Sequence, residues 1–220
     1  MKHNTILGFL SKFLIVFVIC TLSGYGESTA EFVYTSNCFD NEDLFEYNSS
    51  EIEEILFKSK PILGSYWAYD PPVRLCPDSG VSVARLSSAL DFWKRMGYDF
   101  GEIIIDEDGY NCAIGGSPGE ITILLVTSDI PIRDKLAITR THRFDNRVLL
   151  RSQIFINRYS ADKPLVLEHE IGHAFGWSHF NSSYHIMNAN YELCGHGTKG
   201  IKYSDYLREI NRLSEKFKEE

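Results

Sequence analysis

The chain has 220 residues, 44% of them hydrophobic, enough for one domain of moderate size with a real core. A formal net charge of −8 speaks against a nucleic-acid partner, which demands a basic face. No internal repeat or low-complexity tract interrupts the chain.

Residues 1–30 read as a secretory signal peptide. Lys2, His3 and Lys12 supply positive charge, and 13–19 form an apolar core. Ser28-Thr29-Ala30 puts small residues where a signal peptidase reads, with Gly24 and Gly26 as rival sites. The apolar run is too short and too poorly flanked for stable membrane insertion. Ile19, bulky where a lipobox wants a small residue, weighs against lipidation at Cys20. The expectation is a secreted or periplasmic protein, working as a monomer. Four cysteines follow the signal: Cys38, Cys76, Cys112 and Cys194. An even count in an oxidising compartment points to two disulfides, with the three connectivities left open.

Residues 31–65 form an acidic lead-in with a helix expected over 51–58; they are an N-terminal wrap, the simpler reading, or a short propeptide. The main domain runs over 66–220. Tyr66-Trp67-Ala68-Tyr69 starts a strand, with Pro71-Pro72 near an edge. A helix over 81–96 follows, because Val83, Leu86, Ala89, Leu90 and Trp93 recur at helical spacing and Gly97 ends it. Residues 102–106 read as a buried strand, 106–119 as a long loop and 121–127 as a second buried strand. Strands over 136–142 and 148–157 pair around Asp145-Asn146. Asp162 caps the next helix, with Pro164 in its first turn. Leu165, Val166, Leu167, Ile171, Ala174 and Phe175 form its core face. Ser204 caps a last helix that turns Tyr206, Leu207, Ile210 and Leu213 inward.

Residues 169–179 read His-Glu-Ile-Gly-His-Ala-Phe-Gly-Trp-Ser-His. His169 and His173 fall on one helix face, one turn apart, so both imidazoles can reach one ion. Gly176 can end the helix in a left-handed conformation and let the chain bring in His179. Three protein ligands leave a catalytic zinc one open position for water, and Glu170 can reach that water as a general base. Met187 follows His179 by eight residues, after an aliphatic Ile186.

The eleven residues and the following methionine resemble the zinc signature and Met turn of the metzincin metallopeptidases, closest to the matrixin-like branch as found in bacteria. The resemblance implies an α+β fold: a zincin catalytic domain with a twisted, mostly parallel sheet of about five strands, an antiparallel edge strand and three helices. It implies a secreted zinc endopeptidase with one catalytic ion on His169, His173 and His179 and Glu170 as base. It implies a protein or peptide substrate paired along the 136–142 strand, and Tyr191 as a candidate pocket wall. Structural calcium is common in the family, and Asp106-Glu107-Asp108-Gly109 hints at it, although a turn explains that run better. Val73-Arg74-Leu75-Cys76-Pro77-Asp78 is faintly similar to the matrixin cysteine switch, but its spacing differs and a disulfide at Cys76 is the better reading. Phe180 and Ala189 depart from the known branches. His142, His185 and His196 are best read as solvated loop residues. Two alternatives stand beside the peptidase: a zinc amidohydrolase of another substrate class, and an inactive binding module on the same fold.

Overall fold

Two periodicities build the domain: alternating apolar residues lay down strands, and a 3.6-residue apolar stripe turns helices onto them. The computed structural model describes residues 28–34, 60–127, 130, 135–144, 147–191 and 195–216. The strands are β1 (Ser28–Tyr34), β2 (Val73–Leu75), β3 (Ile103–Ile105), β4 (Ile121–Leu125), β5 (Lys135–Arg143), β6 (Leu149–Ile156) and β7 (Asn190–Tyr191). The helices are α1 (Val83–Lys94), the single turn α2 (Tyr110–Ala113), α3 (Val166–Ala174) and α4 (Tyr203–Lys216).

The sheet order is β3-β2-β4-β6-β5-β1-β7. Its first four strands run parallel and β5 runs antiparallel to β6. These five strands are the mostly parallel sheet expected from the sequence, in an α+β, zincin-like topology. β5, expected at the edge, is not the last strand. β1 pairs antiparallel along it from Ser28↔Thr141 to Val33↔Lys135, and β7 pairs parallel with the end of β1. The 51–58 helix, the Asp145-Asn146 turn, Cys38 and Cys194 lie outside the described residues.

Several local expectations change, each for a physical reason. Residues 66–69 make only a bridge, Tyr66↔Val148, instead of a strand. The Trp67 N–H donates to the Tyr206 hydroxyl at 2.9 Å and so leaves the ladder. The first strand of the domain body is β2, which begins after Pro71-Pro72, where N–H donors return. β3 is half-buried, with Ile105 45% exposed, because β2 is its one sheet neighbour. α1 is shorter than expected, since Ser82 caps it by accepting from the Arg85 N–H at 3.1 Å. α3 starts at Val166, not under an Asp162 cap. Leu165 precedes it at φ 66, a left-handed turn that costs about 1 kcal/mol and is held by burial of its side chain. α4 starts at Tyr203, not at a Ser204 cap, and the Asp205 carboxylate accepts the Lys202 N–H at 3.1 Å. Leu207, expected inward, is 45% exposed.

The core is aromatic where the helices meet. Tyr98 and Tyr206 pack edge-on against Phe175, which stacks on Trp93, and the Trp93 and Tyr98 centroids are 5.0 Å apart. The Trp93 indole N–H donates to the Glu168 carbonyl at 2.8 Å, and Arg85 clamps the Glu168 carboxylate with two bonds of 2.8 and 2.6 Å. α1 therefore fixes the first turn of α3. No helix among the described residues is long and apolar enough to cross a membrane.

Cys76 and Cys112 form a disulfide that ties the end of β2 to α2. It removes the thiol that a zinc-capping switch would need. Beside it, Arg74 bridges Asp106 (2.9 Å) and Glu120 (2.7 and 3.0 Å). Asp106 also accepts the Cys112 N–H at 2.9 Å. Burial pushes the Asp106 carboxyl up, but Cys112, Asn111 and Arg74 outweigh it and hold it below its usual range. Both Asp106 oxygens thus already have protein donors, and the run hinting at calcium is a pinned turn. Closing a loop of sequence separation 36 should be worth about 4 kcal/mol. A paired Cys76→Ala, Cys112→Ala chain should lose that much in urea unfolding, and a non-reduced digest should show the 76–112 link.

Candidate metal centre

α3 carries two histidines on its cleft face and the chain just beyond it carries the third. Gly176, at φ 94, ends the helix, and a Cβ there would collide with Ser65. The 62–64 segment braces this loop, with the Gly64 N–H on the Gly176 carbonyl and the Ser178 N–H on the Ile62 carbonyl, both at 2.9 Å. The loop then presents His179 to His169 and His173. The three residues offer ligand atoms that all lie within 4.8 Å of one another. The Nε2 atoms of His169 and His173 are 2.9 Å apart.

Backbone carbonyls set the ring orientations. His169 Nδ1 donates to the Ile186 carbonyl, and His173 Nδ1 donates to the Trp177 carbonyl at 2.7 Å. Both rings therefore keep Nε2 deprotonated and turned toward the centre. Burial pushes His173 down to about 3, His179 adds to the shift, and the Trp177 carbonyl opposes it. Burial first, then His173, holds His169 well below its ordinary value. Both imidazoles are neutral at physiological pH, as ligands must be. Such a donor set can chelate a divalent transition metal.

Glu170 is fully buried. Its Oε2 accepts from the Thr139 hydroxyl of β5, and its Oε1 has no hydrogen-bond partner among the described residues. Burial raises this carboxyl to about 8, with Thr139 working against the rise. An orphaned carboxylate oxygen beside three converging imidazoles fits a bound metal and water, which would satisfy it.

The turn around Met187 is bonded into the centre. Ile186 supplies the carbonyl for His169, and the Phe180 N–H donates to the Met187 carbonyl at 2.8 Å. His185, expected to be solvated, is buried. Its Nδ1 accepts the Met187 N–H at 3.0 Å and its Nε2 donates to the Lys199 carbonyl at 3.1 Å. Phe180 packs edge-on against the His185 ring, which gives that unusual residue a role. Met187 lies against α3 at Gly172, where a Cβ would crowd its thioether and stand 2.9 Å from Trp93.

A cleft of about 320 Å³ opens beside the histidines. It is lined by His173, His179 and the loop between them, and by Thr139, Thr141 and Arg143 of β5. These last three share one face of the strand, two residues apart. The sequence alone does not single out Thr139, Arg143 or His185 for these roles. The period-two face of β5 holds a signal for the first two; nothing local marks His185. Tyr191 is buried at 2% exposure in β7. His142 bonds Gln153 at 3.0 Å.

Compared with known proteins, the chain matches no family model and no curated protein. The buried three-histidine cluster in a mixed α+β sheet is nonetheless consistent with a metal-binding, hydrolase-like fold.

Two outcomes check this centre. Glu170 has a raised value in the fold, so its own contribution to the stability of the metal-free chain falls as pH rises from about 4.5, where unfolded Glu ionises, towards 8. Metal-free Glu170→Gln lacks that loss. Its unfolding free energy from urea titration should match the parent near pH 4.5 and exceed it at pH 8, by a few kcal/mol at most. Gly172→Ala should cost about 1–3 kcal/mol by overpacking and weaken metal retention in dialysis.

Proposed function

We propose that the protein is a secreted zinc endopeptidase of metzincin type, closest to the matrixin-like branch. The observation that carries this reading is Glu170: a buried carboxylate with one oxygen held by Thr139 and the other unpartnered, next to converging histidines. An all-imidazole donor set suits zinc and does not suit calcium, which takes oxygen ligands. When bound, zinc polarises the scissile carbonyl and makes water acidic enough to attack near neutral pH.

The chain's own groups do the rest. Glu170 Oε1 takes the proton from the attacking water and returns it to the leaving amine. Thr139 holds Oε2, so the carboxylate keeps one orientation through both transfers. The Ile186 and Trp177 carbonyls keep the imidazole tautomers fixed. No side-chain nucleophile is required, so no acyl-enzyme forms.

β5 gives the substrate its edge, in the manner of β-augmentation. β1 supports this, since it shows an extended strand seated there antiparallel. Signal-peptide removal after Ala30 would take away Ser28, Thr29 and Ala30, the residues opposite Thr141, Arg140 and Thr139. That cut would open the β5 edge beside Glu170, and residues 31–34 with the rest of the lead-in would stay as a wrap or short propeptide. Tyr191, in β7 beside the end of β1, is the proposed pocket wall.

The test is digestion of a peptide library by the purified mature chain, with and without a zinc chelator. Chelator-sensitive cleavage is expected, and Glu170→Gln should keep its zinc while losing about 10²–10⁴-fold in turnover. A chain begun at Ser28 should cleave more slowly than one begun at Glu31. Cleavage that survives in Glu170→Gln contradicts the mechanism, and zinc binding without any cleavage favours the amidohydrolase or the inactive module.

A further inference from the structure

Arg143 stands at the end of the cleft-facing row Thr139, Thr141, Arg143, and lines the same cleft as His173 and His179. Its Nε is buried and has no hydrogen-bond partner among the described residues. No carboxylate among them forms an ion pair with it. Burial and the nearby Arg147 both disfavour its charge. Arg147 itself donates to the Gly64 carbonyl at 3.5 Å. In a chain of net charge −8, a half-buried guanidinium facing a substrate cleft without a carboxylate is an anion-recognition group.

Strand direction says which part of a substrate meets it. β1 runs antiparallel to β5, with Ala30 opposite Thr139 and the earlier Ser28 opposite Thr141. A peptide seated the same way lays its N-terminal portion toward Arg143. Thr139 marks the level of the catalytic base, because its hydroxyl bonds Glu170.

We propose that Arg143 forms a subsite for an acidic side chain, Asp or Glu, a few residues N-terminal to the cleaved bond, so that the substrates are acidic extended peptides. The inference rests on the peptidase reading above. It deepens that reading by naming the substrate class and the residue that selects it. Thr141 and the Ser65 segment form the walls between the metal ligands and the guanidinium.

The experiment uses the zinc-loaded, full mature chain carrying Glu170→Gln, which binds without turnover. Labelled peptides differ only by Glu or Gln, scanned through positions N-terminal to the scissile bond, and fluorescence anisotropy gives their affinities. At one position Glu should bind about tenfold more tightly than Gln, as a charge-assisted pair does, and the ratio should shrink with salt. Adding Arg143→Gln should bring the ratio to about one, and Arg143→Lys should keep part of it. Equal affinities at every position, or a Glu preference that survives Arg143→Gln, would overturn the subsite. The affinity ratio alone decides this. Turnover of the same peptides by the chain with Glu170 intact reports separately on the peptidase reading.

Discussion

The centre depends on two carbonyls. A histidine can bind a metal through either ring nitrogen, and three histidines converge on one ion only if each tautomer and ring plane is fixed. Here Ile186 and Trp177 accept from the Nδ1 atoms of His169 and His173, so the Nε2 atoms face each other. Much of the fold serves to hold those two carbonyls. The Trp177 indole donates to the Tyr98 hydroxyl, which donates to the Ile201 carbonyl, both at 2.8 Å. Ile186 is held because its N–H donates to the Gly197 carbonyl at 2.8 Å and because His185 braces the next peptide. Each carbonyl is thereby placed by contacts from distant parts of the chain, and burial keeps both imidazoles neutral.

Packing supplies the second constraint. α3 must approach the Met187 turn and α1 closely enough for Trp93 and the Met187 thioether to touch its backbone at Gly172. The Gly at that position, inside a helix where it costs about 1 kcal/mol against Ala, is explained by this close approach. Met187 suits the role because its thioether adapts to an irregular surface. Arg85 and Trp93 then pin the helix start through Glu168. The face of α3 that carries the histidines and Glu170 is turned away from these contacts, and β5 meets it with Thr139.

The centre was legible in the sequence because its information is local. His169, Glu170, His173, Gly176 and His179 lie in eleven consecutive residues: helical spacing places the first three, and the turn at Gly176 brings in His179. The parallel sheet was legible too, since Ile121 and Ile154 sit in apolar runs that strands bury. What failed was set by tertiary partners. Residues 66–69 look like a strand, but Tyr206, far along the chain, takes the Trp67 N–H. Asp162 looks like a cap, but a left-handed Leu165 begins the helix later. His185 looks like a loop residue because its two partners, Met187 N–H and the Lys199 carbonyl, come together only in the folded chain. The added strand β1 was hidden for the same reason: nothing within residues 28–34 states which edge they will join.

The proposed centre holds one zinc ion on three imidazoles, two of them oriented by backbone carbonyls. X-ray absorption at the zinc edge of the protein loaded with one equivalent of zinc tests it directly. The expected spectrum shows a shell of three imidazole nitrogens and one oxygen, without sulfur, that loses an imidazole in His179→Ala. A sulfur ligand, or a spectrum unchanged by His179→Ala, would contradict it.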